Sequence, residues 1–512
     1  MVDHPHIELD GEHLALESVG RVASGAVRVR LLPAARIRVE ASRVVVEKIL
    51  SSGDQVYGVN TGFGHLKDVR IPADQLEALQ VNLIRSHAAG VGPTLAADAT
   101  RALMLLRAHV LARGHSGVRP LVIDTLLDLL NSGVLPIIPE QGSVGASGDL
   151  APLSHLVLAL IGEADVVIDG VRVAARKALT QKGIAPLLLA PKEGIALING
   201  TQMITAIGVL ALLEAEEVAV AADIAGGCSL EALKGSHHAF EDRIHRLRPH
   251  AGQVASAANL RSILADSAIA RSHADCGRVQ DAYSLRCLPQ VHGAAREGIR
   301  FARGILETEI DAVTDNPIVF PETGDLLSGG NFHGQTPALA LDALAIAIAD
   351  LAAISERRID RLMNPAFSGL PAFLTRNPGV NSGLMMAQVT AAALVSENKG
   401  LCHPASVDSI PTEAGQEDHV SMGPIAARKA RRVVGHVRQV IAIELLAACQ
   451  GLDFLAPLLA GRGVEAARRA VRSRVPFMEQ DRFLAPDLAA MEDLIRTGAL
   501  RSAVQAETGV LR

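Results

Sequence analysis

The stretch GSVGASGDLAPLSHLVLALI, residues 142–161, changes character at its midpoint. Its first half is a run of small residues that leaves the backbone uncovered. At Asp149 this gives way to a helix signal, with an anion at the start, Pro152 in the first turn and the apolar run 153–161 behind it. Read alone, this is a capped helix entered from a glycine-rich loop, with Ser147 no more than a capping hydroxyl. Outward from it the helical pattern recurs, with apolar residues at three- and four-residue spacing in 99–113, 200–225, 337–358 and 426–450. From about residue 72 the chain therefore reads as mainly α, a body of long Ala/Leu-rich helices whose small side chains suit close packing in a bundle. Ahead of it, residues 7–66 mix the β-branched stretch 27–32 with a helix candidate at 41–51, the mark of a smaller α+β region. We place an N-terminal α+β region at residues 1–112 and the helical body at 113–512.

Composition narrows the function. Of 512 residues, 49% are hydrophobic and only 20% charged, as expected when helix surface is buried both in a core and between subunits, so an isolated monomer is not expected. Lys+Arg number 49 against Asp+Glu 55, for a net charge of -6, and no long basic run appears, which argues against nucleic acid or an anionic membrane as partner. The basic stretch EAARRAVRSR (465–474) reads as a solvated helix face. Cys228, Cys276, Cys287, Cys402 and Cys449 form no C-x-x-C pair, so neither a disulfide framework nor a zinc site is indicated and a reducing cytoplasm fits. The opening MVDHPHIELDGEHL lacks the order of a signal peptide, and export is not expected. No apolar run reaches bilayer length: 203–213 is too short, and 337–354 is broken by Asp342 and Asp350. The glycine pairs Gly62/Gly64 and Gly90/Gly92 lack a third glycine, and no G-K-[ST] follows a glycine loop, which leaves nucleotide binding without a signature. The histidines His237, His238, His245 and His250 lack metal-ligand spacing and are assigned to the surface, so no metal is expected.

Between the helices lie polar, glycine-rich islands that a mere bundle does not need: YGVNTGFG (57–64), GSVGASGDL (142–150), LINGTQ (197–202), VQDAYSLR (279–286), SGGNFHG (328–334) and GQEDHVSMG (415–423). The run Ala-Ser-Gly-Asp-Leu-Ala-Pro-Leu-Ser-His beginning at Ala146 resembles the signature of the aromatic amino-acid ammonia-lyases, and the other islands match that family in order over nearly the whole chain. The resemblance implies the family's long-helix (fumarase/aspartase-like) fold. It also implies that Ala146, Ser147 and Gly148 cyclise autocatalytically into 4-methylidene-imidazol-5-one (MIO), with no external cofactor. The chemistry agrees: the nitrogen of Gly148 must reach the carbonyl carbon of Ala146, which a bulky side chain would hinder, and dehydration of Ser147 leaves an electrophilic alkene.

The same resemblance assigns the remaining roles. Tyr57 is the base for the substrate β-proton. A free phenol titrates at about 10, so action near neutrality asks for roughly 3 units of lowering, and an alkaline activity optimum is expected. Gln280, Tyr283 and Arg286, spaced three apart, could share one side of a helical turn. Arg286 would clamp the substrate carboxylate, Asn199 and Gln280 would orient the substrate and the imidazolone carbonyl, Tyr283 would assist near the alkene, and Phe332 would pack on the substrate ring. Taken singly, Arg286 reads as a surface ion-pair residue, Asn199 as a helix cap and Phe332 as core filling. Yet Tyr57 and Tyr283 are the only tyrosines in the chain, and both fall inside these motifs.

Substrate choice follows from two positions. Ser86-His87 in SHAAG matches the histidine-acting members of the family, where tyrosine-acting members show His-Leu and phenylalanine-acting ones Phe-Leu. Glu417 stands where those others carry glutamine, and a carboxylate can pair with an imidazole N–H but suits a benzene ring poorly. Singly, His87 reads as a satisfied core residue and Glu417 as a helix-start anion. The resemblance thus implies non-oxidative elimination of ammonia from L-histidine to trans-urocanate, the first step of histidine degradation, by a cytoplasmic homotetramer whose sites are shared between subunits. A tyrosine or phenylalanine lyase, or an aminomutase that re-adds the ammonia, is the alternative. Three departures touch the loops: Thr412-Glu413-Ala414-Gly415 before the glutamate, His292 where methionine is usual, and Gln335-Thr336 after the Asn331-Phe332-His333 run. Residues 51–72 are a candidate lid.

Overall fold

A computed structural model describes residues 6–277 and 279–512; residues 1–5, on which the leaderless reading partly rests, lie outside them. The chain is mainly α as expected, with twenty-one α-helices among the described residues and only short strands. It divides into two units. One comprises Met1–Leu213, Arg303–Asp342 and Pro404–Arg428, and the other Glu214–Ala302, Ala343–His403 and Lys429–Arg512. Each unit is gathered from separate stretches of chain, a partition that a single boundary at residue 112 does not address.

In the first unit, strands His6–Leu9 and Arg28–Leu31 pair in parallel, with Ile7 opposite Val29 and Leu9 opposite Leu31. Ile7, Leu9 and Val29 are buried while Glu8, Arg28 and Arg30 face out, the alternation a half-buried strand requires. The next helix, Pro33–Ser52, begins eight residues before the expected 41–51, because Pro33 at its first turn presets the helical φ. Gly53 at φ 78° ends it. Its Val45 and Val46 pack with Val59 and Val319, which anchors the loop that carries Tyr57. The Ala97–Ala112 helix is buried almost throughout. Its Arg107 donates to the carbonyls of Ala196 and Asn199 and to Gln202 Oε1, and burial pushes its guanidinium down to about 10.

The helix expected after the small-residue run spans Leu150–Leu160, but Asp149 does not cap it with its side chain. Asp149 Oδ2 instead accepts from the backbone N–H groups of Met203 (2.8 Å) and Ile204 (3.0 Å). It therefore caps the first turn of the 31-residue helix Gln202–Ala232.

The second unit is knitted by buried polar groups. Asp223 accepts from Ser256, Asn259, His292 and Arg296 at 2.6–2.8 Å, and Arg358 pairs with Glu444, itself bonded to Ser229 and Ser355. His245 is a correction to the surface assignment. It is buried, with Nε2 at 3.1 Å from the Ala239 carbonyl and Nδ1 at 3.1 Å from Gln253 Nε2, because the chain turns back over it rather than leaving it on an open face. A second correction concerns apolar length. Gln335–Met363 and Gly423–Asp453 are long and apolar enough to cross a membrane, but 61% and 78% of their most apolar stretches are buried in the protein. They are read as core helices, and the Arg358–Glu444 pair that joins them would be costly in lipid.

Candidate active site

The islands of the first unit converge on one cavity of about 480 Å³, whose wall includes Tyr57, His87, Ala146, Ser147, Asn199, Phe332 and Glu417. Local bonds explain why these loops hold still. Asn60 Oδ1 accepts from Val56 N (2.8 Å) while its amide donates to the Asp54 carbonyl (2.7 Å), which clamps the turn around Tyr57. Gly90 N donates to His155 Nε2 at 3.1 Å and so ties the His87 loop to the helix behind the small-residue run. The Gly145 carbonyl accepts from both Ser421 Oγ (2.8 Å) and Gly334 N (3.1 Å), which joins the SGGNFHG and GQEDHVSMG loops to the tripeptide. Beneath, Ala146 packs with Val420 and Met422.

The backbone around Ala146-Ser147-Gly148 is shaped for a residue without a side chain. Gly148 has φ 74°, and a Cβ there would run into the backbone of Gly200. Asp149 N, one residue on, donates to the Gly200 carbonyl at 2.7 Å. Gly145, at φ 67°, has no more room, since a Cβ would strike Ser421 Oγ. The side-chain oxygen of Asn199, nearly buried in the same wall, has no hydrogen-bond partner among the described residues and so offers an acceptor that a group built on the tripeptide, or a substrate, can use. These residues fit a cyclised tripeptide.

Ser147 Oγ donates to Glu417 Oε1 at 2.7 Å, and Thr412 Oγ1 donates to Glu417 Oε2 at 2.6 Å. His87 Nδ1 lies 2.9 Å from the Leu83 carbonyl, which can only accept, so Nδ1 carries the hydrogen and Nε2 is left as an acceptor. Burial pushes the His87 ring below its usual range, against the Leu83 carbonyl and the charge of Glu417, which favour the protonated form.

The phenol of Tyr57 contradicts one expectation: it is raised rather than lowered. Burial is the main cause, and the negative charges of Glu413 and Glu417 add to it, while the N–H of Gly64, 3.5 Å from the hydroxyl, pulls the other way. No cation of the cavity outweighs these: the Lys67 ammonium is held by Gln416 Oε1 at 2.9 Å.

Gln280, Tyr283 and Arg286 belong to the second unit and are not part of this cavity wall. The expected shared helical turn holds only in part. The helix is the single turn Tyr283–Arg286, and Gln280 precedes it in irregular backbone. Within that turn the Arg286 guanidinium sits 4.5 Å from the centre of the exposed Tyr283 ring, and Arg286 Nε has no partner among the described residues. His292 is buried against Asp223 in the second unit, and Gln335 donates to the Ser406 carbonyl in the first.

Sequence reasoning missed other groups in the cavity wall: Lys67, Asp68, His333, Glu413, Asp418 and His419. His333 and His419 stack with centroids 5.8 Å apart. All but Lys67, Asp68 and Glu413 lay inside islands already marked as functional. What the sequence lacked was a signal for which side chain of each island turns inward.

Comparison with known proteins agrees with this geometry. The chain is 56% identical over 501 residues to a histidine ammonia-lyase of Anaeromyxobacter sp. (strain K), an alignment covering 96% of this chain and 99% of that one. Its fold superposes on the crystal structure of histidine ammonia-lyase from Trypanosoma cruzi with a TM-score of 0.92 at 47% identity, over 98% of this chain and 96% of the other. Tyrosine aminomutase from Streptomyces globisporus is also similar, with a TM-score of 0.94 at 39% identity, over 99% and 100% of the two chains. The family model for aromatic amino acid lyases matches residues 14–473, so the chain belongs to the aromatic amino acid lyase family.

Proposed function

We propose that this chain eliminates ammonia from L-histidine to give trans-urocanate. The observation that carries this reading is the Ser147 hydroxyl held at 2.7 Å by Glu417, on a glycine-walled tripeptide in a cavity that also presents Tyr57, His87 and Asn199. The names of relatives at 52–56% identity over nearly the full length support it.

Ala146, Ser147 and Gly148 would form the methylidene-imidazolone, which when present supplies an electrophilic alkene for the substrate amine. Loss of the Ser147 hydroxyl frees Glu417 Oε1, which then accepts the N–H of a substrate imidazole, while His87 Nε2 faces the same ring as a second acceptor. Tyr57 takes the β-proton on its phenol oxygen, Asn199 orients the substrate and Phe332 packs against its ring. Because burial and carboxylates raise the phenol, the basic form of Tyr57 grows only as pH climbs above neutrality, so activity should rise toward alkaline pH.

Arg286 clamps the substrate carboxylate, with Gln280 and Tyr283 beside it. None of the three lines the cavity, and in this reading a neighbouring copy supplies them within a homotetramer. No disulfide joins the five cysteines among the described residues, which suits a reducing cytoplasm.

An aminomutase is the second reading, favoured by the similarity to tyrosine aminomutase. Incubation of the purified protein with L-histidine, L-tyrosine and L-phenylalanine separates these outcomes. Urocanate supports the proposal, coumarate or cinnamate assigns another lyase, and a β-amino acid assigns a mutase.

A further inference from the structure

We propose that Glu413 is a specificity-determining residue of this site: with Glu417 it forms a carboxyl pair that selects a substrate whose ring carries a proton over one whose ring is neutral. This rests on the reading of the cavity as the site of histidine elimination.

Glu413 falls within the segment where the sequence departs from its resemblance, and the structure sets it into the cavity wall. Its carboxylate seats on Gly64: a Cβ on that glycine would run into both Glu413 oxygens. The N–H of the same glycine faces the Tyr57 hydroxyl. The turn is held against local preference, since Glu413 (φ 49°) and Ala414 (φ 55°) both occupy the left-handed region that residues with a side chain avoid. What imposes it is the closure of the loop on Glu417, where Thr412 N donates to the Glu417 carbonyl at 2.9 Å and Thr412 Oγ1 to its carboxylate at 2.6 Å.

The two carboxylates differ in occupancy. With Ser147 intact both oxygens of Glu417 are taken, by Ser147 and Thr412, and Thr412 holds one of them after the hydroxyl is lost, while no hydrogen bond to the Glu413 carboxylate is found among the described residues. Burial, and then the charge of Glu417, push the Glu413 carboxyl above its usual range, as expected for like charges sharing one site. The surrounding charges do not relieve the pair. Asp68, Glu413, Glu417 and Asp418 line the cavity against one lysine, Lys67, whose ammonium is bonded to Gln416. His87, His333, His419 and Tyr57 complete its titratable wall. A proton delivered on the substrate ring lowers the energy of this arrangement, whereas a phenyl ring leaves it unchanged.

The test is calorimetric binding of 3-(imidazol-4-yl)propanoate and of 3-phenylpropanoate to the full-length enzyme at pH 7.5, in buffers of different ionisation enthalpy. The native protein should take up protons with the imidazole probe and hold it more tightly as pH falls from about 8 to 6. Glu413→Gln and Glu413→Ser should lose most of that uptake, and about tenfold in affinity for the imidazole probe, with the phenyl probe unaffected. Glu413→Asp, which keeps the charge, should retain part of the uptake. A merely structural role would weaken both probes alike and leave proton uptake intact, and that result overturns the proposal. If the native protein makes no urocanate from L-histidine, the reading of the site fails. If it does, and Glu413→Gln takes up protons as the native protein does, this inference alone fails.

Discussion

Two polar clusters in this molecule look alike in composition and differ in how they are satisfied. Around Asp223 every carboxylate lone-pair direction is used: Oδ1 accepts from Ser256 and His292, and Oδ2 from Asn259 and Arg296. Burial alone would push this carboxyl up, but Arg296, His292 and Ser256 together outweigh it and hold it well below the usual range. Around Ser147 the bonding is incomplete. Asn199 Oδ1 is buried without a partner among the described residues, Glu413 sits beside another carboxylate, and both Tyr57 and Glu413 are raised. The Asp223 carboxylate, saturated although His292 Nε2 and Arg296 Nε beside it find no partner among the described residues, fixes a structure, whereas the open groups around Ser147 keep their capacity for a ligand.

Substitutions in the Ser147 cluster should act on turnover, and those in the Asp223 cluster on stability. The largest effect is expected at Ser147. Ser147→Ala should lower kcat for urocanate formation by about a thousandfold or more, because a group essential to covalent chemistry is lost, while the melting temperature stays within a degree or two. Tyr57→Phe should cost about 10²–10⁴-fold in kcat/KM, the range for loss of a general base. In the native protein kcat/KM should rise from neutrality to mild alkali, and a flat or falling profile would remove Tyr57 from that role.

Asp223→Ala should do the reverse of Ser147→Ala. Stability should fall by about 3–5 kcal/mol, since the Arg296 guanidinium loses its buried carboxylate and His292, Ser256 and Asn259 lose their acceptor, and the activity of the molecules that remain folded should change little. Asp223 is depressed in the folded state, so its stabilisation is present above the unfolded value of about 3.9 and is lost as pH drops toward the folded value. Acid unfolding monitored by circular dichroism should therefore begin at higher pH in an Asp223→Asn variant. The smallest effect belongs to His292→Met, which deletes one of four bonds to Asp223 and should cost about 1–2 kcal/mol with no change in pH–rate profile. A shift in that profile would mean the second cluster is not purely structural.

How far these clusters could be read from sequence depends on distance along the chain. The tripeptide and its islands were legible because their chemistry lies in contiguous residues, and the long helices were legible from periodicity. Pairings across the chain were not. Asp149 reads as the cap of its own helix and instead caps one that starts at Gln202, because the chain returns beside it. His245 reads as exposed and is buried by a turn that spacing does not announce. Tyr57 was expected to be lowered, but burial raises it, and the carboxylates that add to this, Glu413 and Glu417, lie more than three hundred residues away in sequence. Glu413 itself registered only as a departure, since its inward placement depends on two left-handed residues without glycine.

The most direct test is the mass of the proteolytic peptide that spans Ala146, Ser147 and Gly148 in the purified native protein. The account predicts a mass lower than the sequence mass by two water molecules, and a peptide at its full unmodified mass would contradict it.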